Sequence, residues 1–302
     1  MALNRTDVAV FTYFLALARH RSFRVAGNEL GVSTSALSHA LKGLEDRLGV
    51  RLLNRTSRSV TLTAAGEELL AAISAPFQAI EQATEALNRY RDAPAGRVRL
   101  NVLTDAAVLL LAPVVPVFAE RYPDIQLDIV SSDRMVDIVA EGFDAGIRHA
   151  GTVPEDMVAQ RLSRDFRWTV AAAPSYLERY GLPERPEDLQ RHRCISFRLG
   201  DDRMYRWEFT GPDGEFSVAV PNGLVVVGGR ATLALALQGA GLMYGAEPIL
   251  APHVERGDLR YVLQDWASPG EGYQIYYPSR RQVPTALRLL IDLIREMRPL
   301  GL

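Results

Sequence analysis

Thr34, Ser35, Ser38, His39 and Lys42 stand beside an apolar stripe of Leu37, Leu41, Leu44 and Leu48, with Ser33 ahead of them as a helix N-cap. The three hydroxyls donate and accept hydrogen bonds, which suits contact with base edges or phosphates while discriminating weakly between bases. His39 can donate to a phosphate or a purine N7, and Lys42, the sole lysine of the chain, is a flexible phosphate contact. This is the chemistry of a helix laid in the major groove of double-stranded DNA; the alternative is the polar face of an ordinary amphipathic helix. A basic tip, Asn54-Arg55-Thr56-Ser57-Arg58, follows, and Arg55 and Arg58 are candidates for phosphate or minor-groove contact.

The elements that would position these groups are legible in the first sixty residues. Val8, Phe11, Phe14, Leu15 and Leu17 predict a helix that closes at Arg19 to Arg21. Ser22 caps a second, short helix that Gly31 ends, and Ser33 caps a third that Gly49 ends. Val50 to Leu53 and Ser59 to Leu62 flank the basic tip as a small hairpin. From Thr63 a long helix is predicted in which Leu70, Ile73, Phe77, Ile80, Thr84 and Leu87 step by three and four, a coiled-coil seam for pairing two copies or for packing within its own domain. Pro76 interrupts the seam without shifting its phase. Asp92 to Gly96 reads as a linker.

Beyond Arg97 strands and helices alternate, which predicts parallel sheet covered by helices in two α/β lobes. A helix is expected over Val136 to Gly142. Polar residues at the predicted strand ends mark a cleft between the lobes: Thr104 and Asp105, Ser131 and Ser132, and Arg148 in the first lobe; Gly200 and Asp202, then Gly228, Gly229 and Arg230 before a helix, in the second. Helix N-termini there would favour an anion or a polar group. Arg230 at such a terminus opposes the dipole unless an acid or anionic ligand offsets it, or it extends into water; Arg148 meets a ligand or pairs with Asp144 or Asp133.

Charge is unevenly spread. The net charge is only −2, yet residues 1 to 60 carry nine basic side chains, among them Arg5, Arg19, Arg24, Arg47 and Arg51, against Asp7, Glu29, Glu45 and Asp46. Cys194 is the only cysteine, which excludes an intramolecular disulfide and a thiolate metal cluster. No cofactor is expected. Gly223 to Gly229 lacks a phosphate-loop lysine, His149, His192 and His253 have no metal-ligand spacing, and Ser175 sits in no nucleophile elbow, so catalysis is not expected. The N-terminal residues show no leader-like apolar run and no apolar run approaches the length of a membrane span, so a cytoplasmic protein without a membrane partner is expected.

Ser22-Phe23-Arg24-Val25-Ala26, Leu30-Gly31-Val32-Ser33, Ala36-Leu37-Ser38-His39, Leu44-Glu45, Leu48-Gly49 and Leu52-Leu53 together resemble the helix-turn-helix of the LysR-type transcriptional regulators. Arg55-Thr56, Leu62-Thr63, Ala65-Gly66, Arg121 to Ile125 and Glu141 to Arg148 extend the resemblance over most of the chain. His192 to Ile195 and Tyr277 to Pro284 resemble the CrgA-like branch. Gly27 departs from the family's usual Ala, at a helix cost of up to about 1 kcal/mol, and Gly228-Gly229-Arg230 departs where relatives carry Asn or Asp.

The expected architecture is an N-terminal all-α winged helix-turn-helix (1–62), a linker helix (63–92) and a C-terminal α/β, two-lobed, periplasmic-binding-protein-like effector domain (93–302). Lobe I is expected at 97–162 with 269–302, and lobe II at 163–268. The partners expected are double-stranded DNA, a small-molecule effector and a second copy of the chain; the resemblance implies a tetramer. An exported solute-binding protein shares the two-lobed pattern, but the N-terminal module and the missing leader argue against it.

Overall fold

A computed structural model describes residues 5–55, 60–85, 87, 93–198, 203–221, 223–278 and 283–301. The chain divides at Asp92 and Ala93 into two main units. In the first, α1 (Arg5–His20), α2 (Phe23–Leu30) and α3 (Thr34–Leu48) bury Phe14, Leu17, Ala26, Leu37, Leu41 and Leu44 completely. Val10 is buried whereas Val8, which lies three residues before Phe11 on the expected stripe, is 47% exposed near the start of the helix. Ser22 Oγ accepts from Val25 N, Ser33 Oγ accepts from Ala36 N, and Gly31 and Gly49 close their helices at φ 66° and 72°. A hairpin of β1 (Leu53–Arg55) and β2 (Val60–Leu62) follows, and α4 (Ala64–Glu85) runs through Pro76.

In the second unit β3 (Gly96–Val102) leads into α5 (Thr104–Ala106), a π-helical turn at Ala107–Leu111 and α6 (Ala112–Arg121). Then come β4 (Ile125–Ser131), β5 (Ala145–His149), β6 (Met157–Arg161) and β7 (Phe166–Ala172). The chain continues through α7 (Pro174–Tyr180), β8 (Ile195–Phe197), β9 (Trp207–Gly211), β10 (Gly214–Val218), β11 (Leu224–Val226) and α8 (Gly229–Leu237). It ends with β12 (Met243–Ala246), α9 (Glu247–Glu255), β13 (Arg260–Val262), β14 (Ser268–Gly270), β15 (Tyr273–Pro278) and α10 (Thr285–Met297).

Lobe I is a five-stranded sheet in the order β4-β3-β5-β15-β6, with β3 parallel to β4 and β5, and β15 antiparallel to β5 and β6. Val98, Leu100, Val102 and Ile147 pack against Val114 and Phe118 of α6 and the apolar face of α10. Residues 136 and 137 are irregular and 138–142 form turns, rather than the expected helix. Seven residues without a cap do not offset helix nucleation, and Gly142 at φ 70° breaks the chain direction. Lobe II is mostly antiparallel, against the parallel sheet that alternation predicts: β7 arrives by crossover from lobe I and β12, β13 and β14 all run against it. Among the described residues of lobe II only β8 and β11 pair as parallel strands, beside a parallel bridge from Cys194 to Leu242.

Two crossovers join the lobes, and they are tied to each other. Leu162 N donates to Tyr273 O (2.9 Å), Tyr273 N to the buried Ser163 Oγ (2.8 Å) and Gly272 N to Asp165 Oδ1 (3.0 Å). A Cβ on Gly272 would strike the Arg164 carbonyl, so the crossing requires glycine.

Candidate nucleic-acid interface and effector cleft

On α3 the caps leave one face free. Ser33, Thr34, Ser35, His39 and Lys42 are exposed and Ser38 is half-buried. Ser33 Oγ both caps the helix and lies 3.0 Å from Ser35 Oγ, so part of its hydrogen-bonding capacity is spent locally. Arg55 differs from the free wing contact that its place in the tip suggests. Its Nη2 donates to Glu45 Oε2 (2.7 Å), its Nη1 to Ser38 Oγ (3.1 Å), and its guanidinium lies 5.3 Å from the Phe23 ring centre. Arg58 lies outside the described residues.

Glu45, which the sequence reading did not assign, organises this corner. Its Oε1 accepts from Leu52 N (2.8 Å) and Leu53 N (3.0 Å), so one carboxylate holds the start of the wing and, through Arg55, Ser38 of α3. The Leu44-Glu45 pair was visible only as part of a motif. Glu29 likewise binds Arg19 Nη1 (3.0 Å) and His20 Nε2, so part of the N-terminal positive charge is spent within the fold.

Along α4 the seam divides. Leu70, Ile73 and Phe77 pack on the helix-turn-helix core, the Phe77 ring meeting Phe11 edge-on at 6.4 Å. Ile80 (58%) and Thr84 are exposed, and so is Leu87 (57%), which lies past the end of α4 at Glu85.

In the second unit Thr104 and Asp105 open α5 at the end of β3, and α5 lies against α8. Ser131 Oγ donates to Thr104 Oγ1 (3.2 Å), Thr104 N donates to Asp133 Oδ1 (3.0 Å), and Ser132 Oγ accepts from Arg134 N. Thr104, Asp105, Ser131 and Ser132 therefore come together at the strand ends. Gly228 turns at φ 105° into α8, where Gly229 and Arg230 are exposed. Gly200 and Asp202 lie outside the described residues.

Arg148 is placed differently from a ligand contact: only 1% exposed, it donates to Asn101 O (3.2 Å), Ile147 O (2.8 Å), Arg134 O (3.0 Å) and Asn101 Oδ1. Burial lowers its pKa, opposed by Tyr276, Asp133 and Asp105, yet a guanidinium stays charged. Its neighbour His149, whose role no sequence motif reveals, lies 3.8 Å from Asp105 Oδ2, and burial holds it below the usual histidine value against the pull of Asp105. Cys194 is buried and its thiol is pushed up to about 12, which suits a packing role. No group of metal-binding side chains occurs among the described residues.

A winged helix-turn-helix carried on the same chain as a two-lobed α/β domain defines a transcription regulator that bears its own sensor. The comparisons agree. Residues 9–67 match the bacterial regulatory helix-turn-helix of the lysR family, and residues 91–299 match the LysR substrate binding domain. The chain belongs to the LysR-type transcriptional regulators, DNA-binding proteins rather than enzymes.

It is 38% identical to the HTH-type transcriptional regulator YcaN of Escherichia coli K12, over 98% of this chain and 96% of that one. It is 40% identical to a transcriptional regulator of Pseudomonas aeruginosa PAO1, over 95% and 94%. Among solved structures, CrgA of Neisseria meningitidis matches at TM-score 0.62 and 26% identity, over 98% and 99% of the two chains. Full-length AphB of Vibrio cholerae shares the fold at TM-score 0.66 and 22% identity, over 96% and 99%. DNA binding through the helix-turn-helix and effector binding through the substrate-binding domain follow from membership. No helix among the described residues is long and apolar enough to cross a membrane.

Proposed function

We propose that α3 enters the major groove with Thr34, Ser35, Ser38, His39 and Lys42 toward the DNA, and that the effector binds between the lobes at the strand ends. The wing contributes through Arg58, with Arg55 holding Ser38 in place. Two copies pair along α4, which presents two recognition helices to a pseudo-palindromic site in the cytoplasm. The pairing segment is assigned to 63–92, of which α4 is the described helix, and the lobes to 97–162 with 269–302 and to 163–268.

The observation that carries the effector reading is the Thr104–Ser131 hydroxyl pair, 3.2 Å apart at the ends of two parallel strands and set on the lobe that meets α8. Open α/β sheets bind ligands at such strand ends, where loops rather than core fill the space. Gly228, Gly229 and Arg230 offer the opposite wall, with Ser132 and Asp105 at the rim. Thr104→Val keeps the shape and removes the hydroxyl. In a reporter strain it abolishes the effector-dependent change in transcription while DNA binding without effector survives; a normal response in that variant moves the site elsewhere.

A further inference from the structure

The polar strand ends adjoin a row of rings that no motif singles out. His149 closes β5, Trp168 opens the path along β7, Tyr244 lies in β12, and Phe197 closes β8 with Tyr205 packed on it. Ring centres lie 5.3 Å apart for His149 and Trp168, 5.6 Å at 15° for Trp168 and Tyr244, 6.0 Å for Tyr244 and Tyr205, and 4.4 Å at 19° for Tyr205 and Phe197. The row thus begins at a strand end of lobe I and finishes at a strand end of lobe II.

A row that served only as core would bury its rings. Tyr244 is buried, but His149, Trp168, Tyr205 and Phe197 are each half-buried. Gly270 lets the Trp168 indole lie directly on the backbone, since a Cβ there would collide with the ring. At the lobe I end Tyr273 stacks on His149 at 4.8 Å, and both lie beside Asp105, whose Oδ2 is 3.8 Å from His149 Nε2. Polar groups beside half-buried rings describe a surface whose complement carries both a flat apolar body and a polar substituent.

Resting on the cleft reading above, we propose that the effector is a planar aromatic or heteroaromatic molecule. Its ring seats on Trp168 and the Tyr205–Phe197 pair, and its polar substituent lies toward Asp105, His149 and Tyr273. Offset stacking rewards a flat π face, whereas a saturated ring of equal polarity gains only the polar half of the contact.

The test uses the full-length chain and matched probes: benzoate against cyclohexanecarboxylate, phenol against cyclohexanol, and aniline against cyclohexylamine. Binding is read by calorimetry and by tryptophan emission, since Trp168 belongs to the row. The expected result is that at least one aromatic probe binds about tenfold more tightly than its saturated counterpart. Phe197→Leu and Tyr205→Leu then remove that preference, and Phe197→Tyr, which keeps a ring, preserves it and guards against a variant that merely misfolds. Equal binding of the two members of every pair, or no binding of any aromatic probe at millimolar concentration, overturns the proposal. The two readings fail separately. Saturated probes that bind as tightly, and are lost in Thr104→Val, leave the cleft in place and reject the aromatic preference, whereas a normal effector response in Thr104→Val rejects the cleft itself.

Discussion

Two kinds of polar residue share the reading corner of the helix-turn-helix, and they part company under mutation. His39 and Lys42 are exposed on α3 and available to phosphates, so His39→Ala with Lys42→Ala weakens operator binding and flattens its salt dependence. Arg55 is engaged by Glu45 and Ser38, so Arg55→Ala weakens binding with a smaller change in salt slope and a loss of roughly 1 kcal/mol of domain stability. Anisotropy titrations at several salt concentrations, beside a thermal melt, separate the two; an equal fall in salt slope would return Arg55 to the phosphates. The caps at Ser22, Ser33, Gly31 and Gly49 were legible because a cap is written within four residues of the helix end it serves. Glu45 was not, since its partners lie seven and eight residues on and are backbone N–H groups that carry no side-chain label. Gly27 reads as a helix defect, but a Cβ there would stand 2.8 Å from Val32 O; the glycine lets α2 close onto its turn.

At the scale of the element, α4 does two jobs along one stripe. Phe77 packs half-buried on its own domain's core, whereas Ile80 and Thr84, with Leu87 beyond the helix end, present apolar and small groups to solvent. Ile80→Asp therefore reduces self-association while the melting temperature of the winged unit holds. Phe77→Asp also costs that unit several kcal/mol, about the penalty of an unpaired carboxylate forced into an apolar contact. Sedimentation paired with calorimetry reads both quantities, and an unchanged assembly in Ile80→Asp would confine α4 to intramolecular packing. Heptad spacing alone did not divide the stripe, because the division depends on where α1 ends against it. Short strands such as β13, three residues long, escaped notice for a related reason: their pairing with β7 is long-range and leaves no local period.

The two-unit architecture and the two lobes were legible from the change of period at Thr63 and the strand-helix alternation beyond Arg97; the antiparallel run of lobe II was not, because strand direction depends on the crossover that delivers β7. The second unit also carries a pH signature. Burial holds His149 and His192 below the ordinary histidine value, so the unfolded chain takes up protons near pH 6.5 that the folded chain refuses. Stability is therefore full above that value and falls as pH drops through it toward the folded values. Urea unfolding at about pH 5.5 and about pH 7.5 checks the sign, with a lower midpoint in acid and a smaller difference in His149→Gln. A midpoint that rises in acid would mean that Asp105 wins over burial.

The tied crossovers set the mechanics of the sensor. Because Leu162, Ser163 and Asp165 on one crossover and Gly272 and Tyr273 on the other are joined by three hydrogen bonds, the lobes share a fulcrum there rather than two independent leashes. Two bodies held at one fulcrum have essentially one soft coordinate, the angle between them. Whatever the cleft receives is then translated from chemistry into rotation, and one number, the resting angle, is what the rest of the chain has to read.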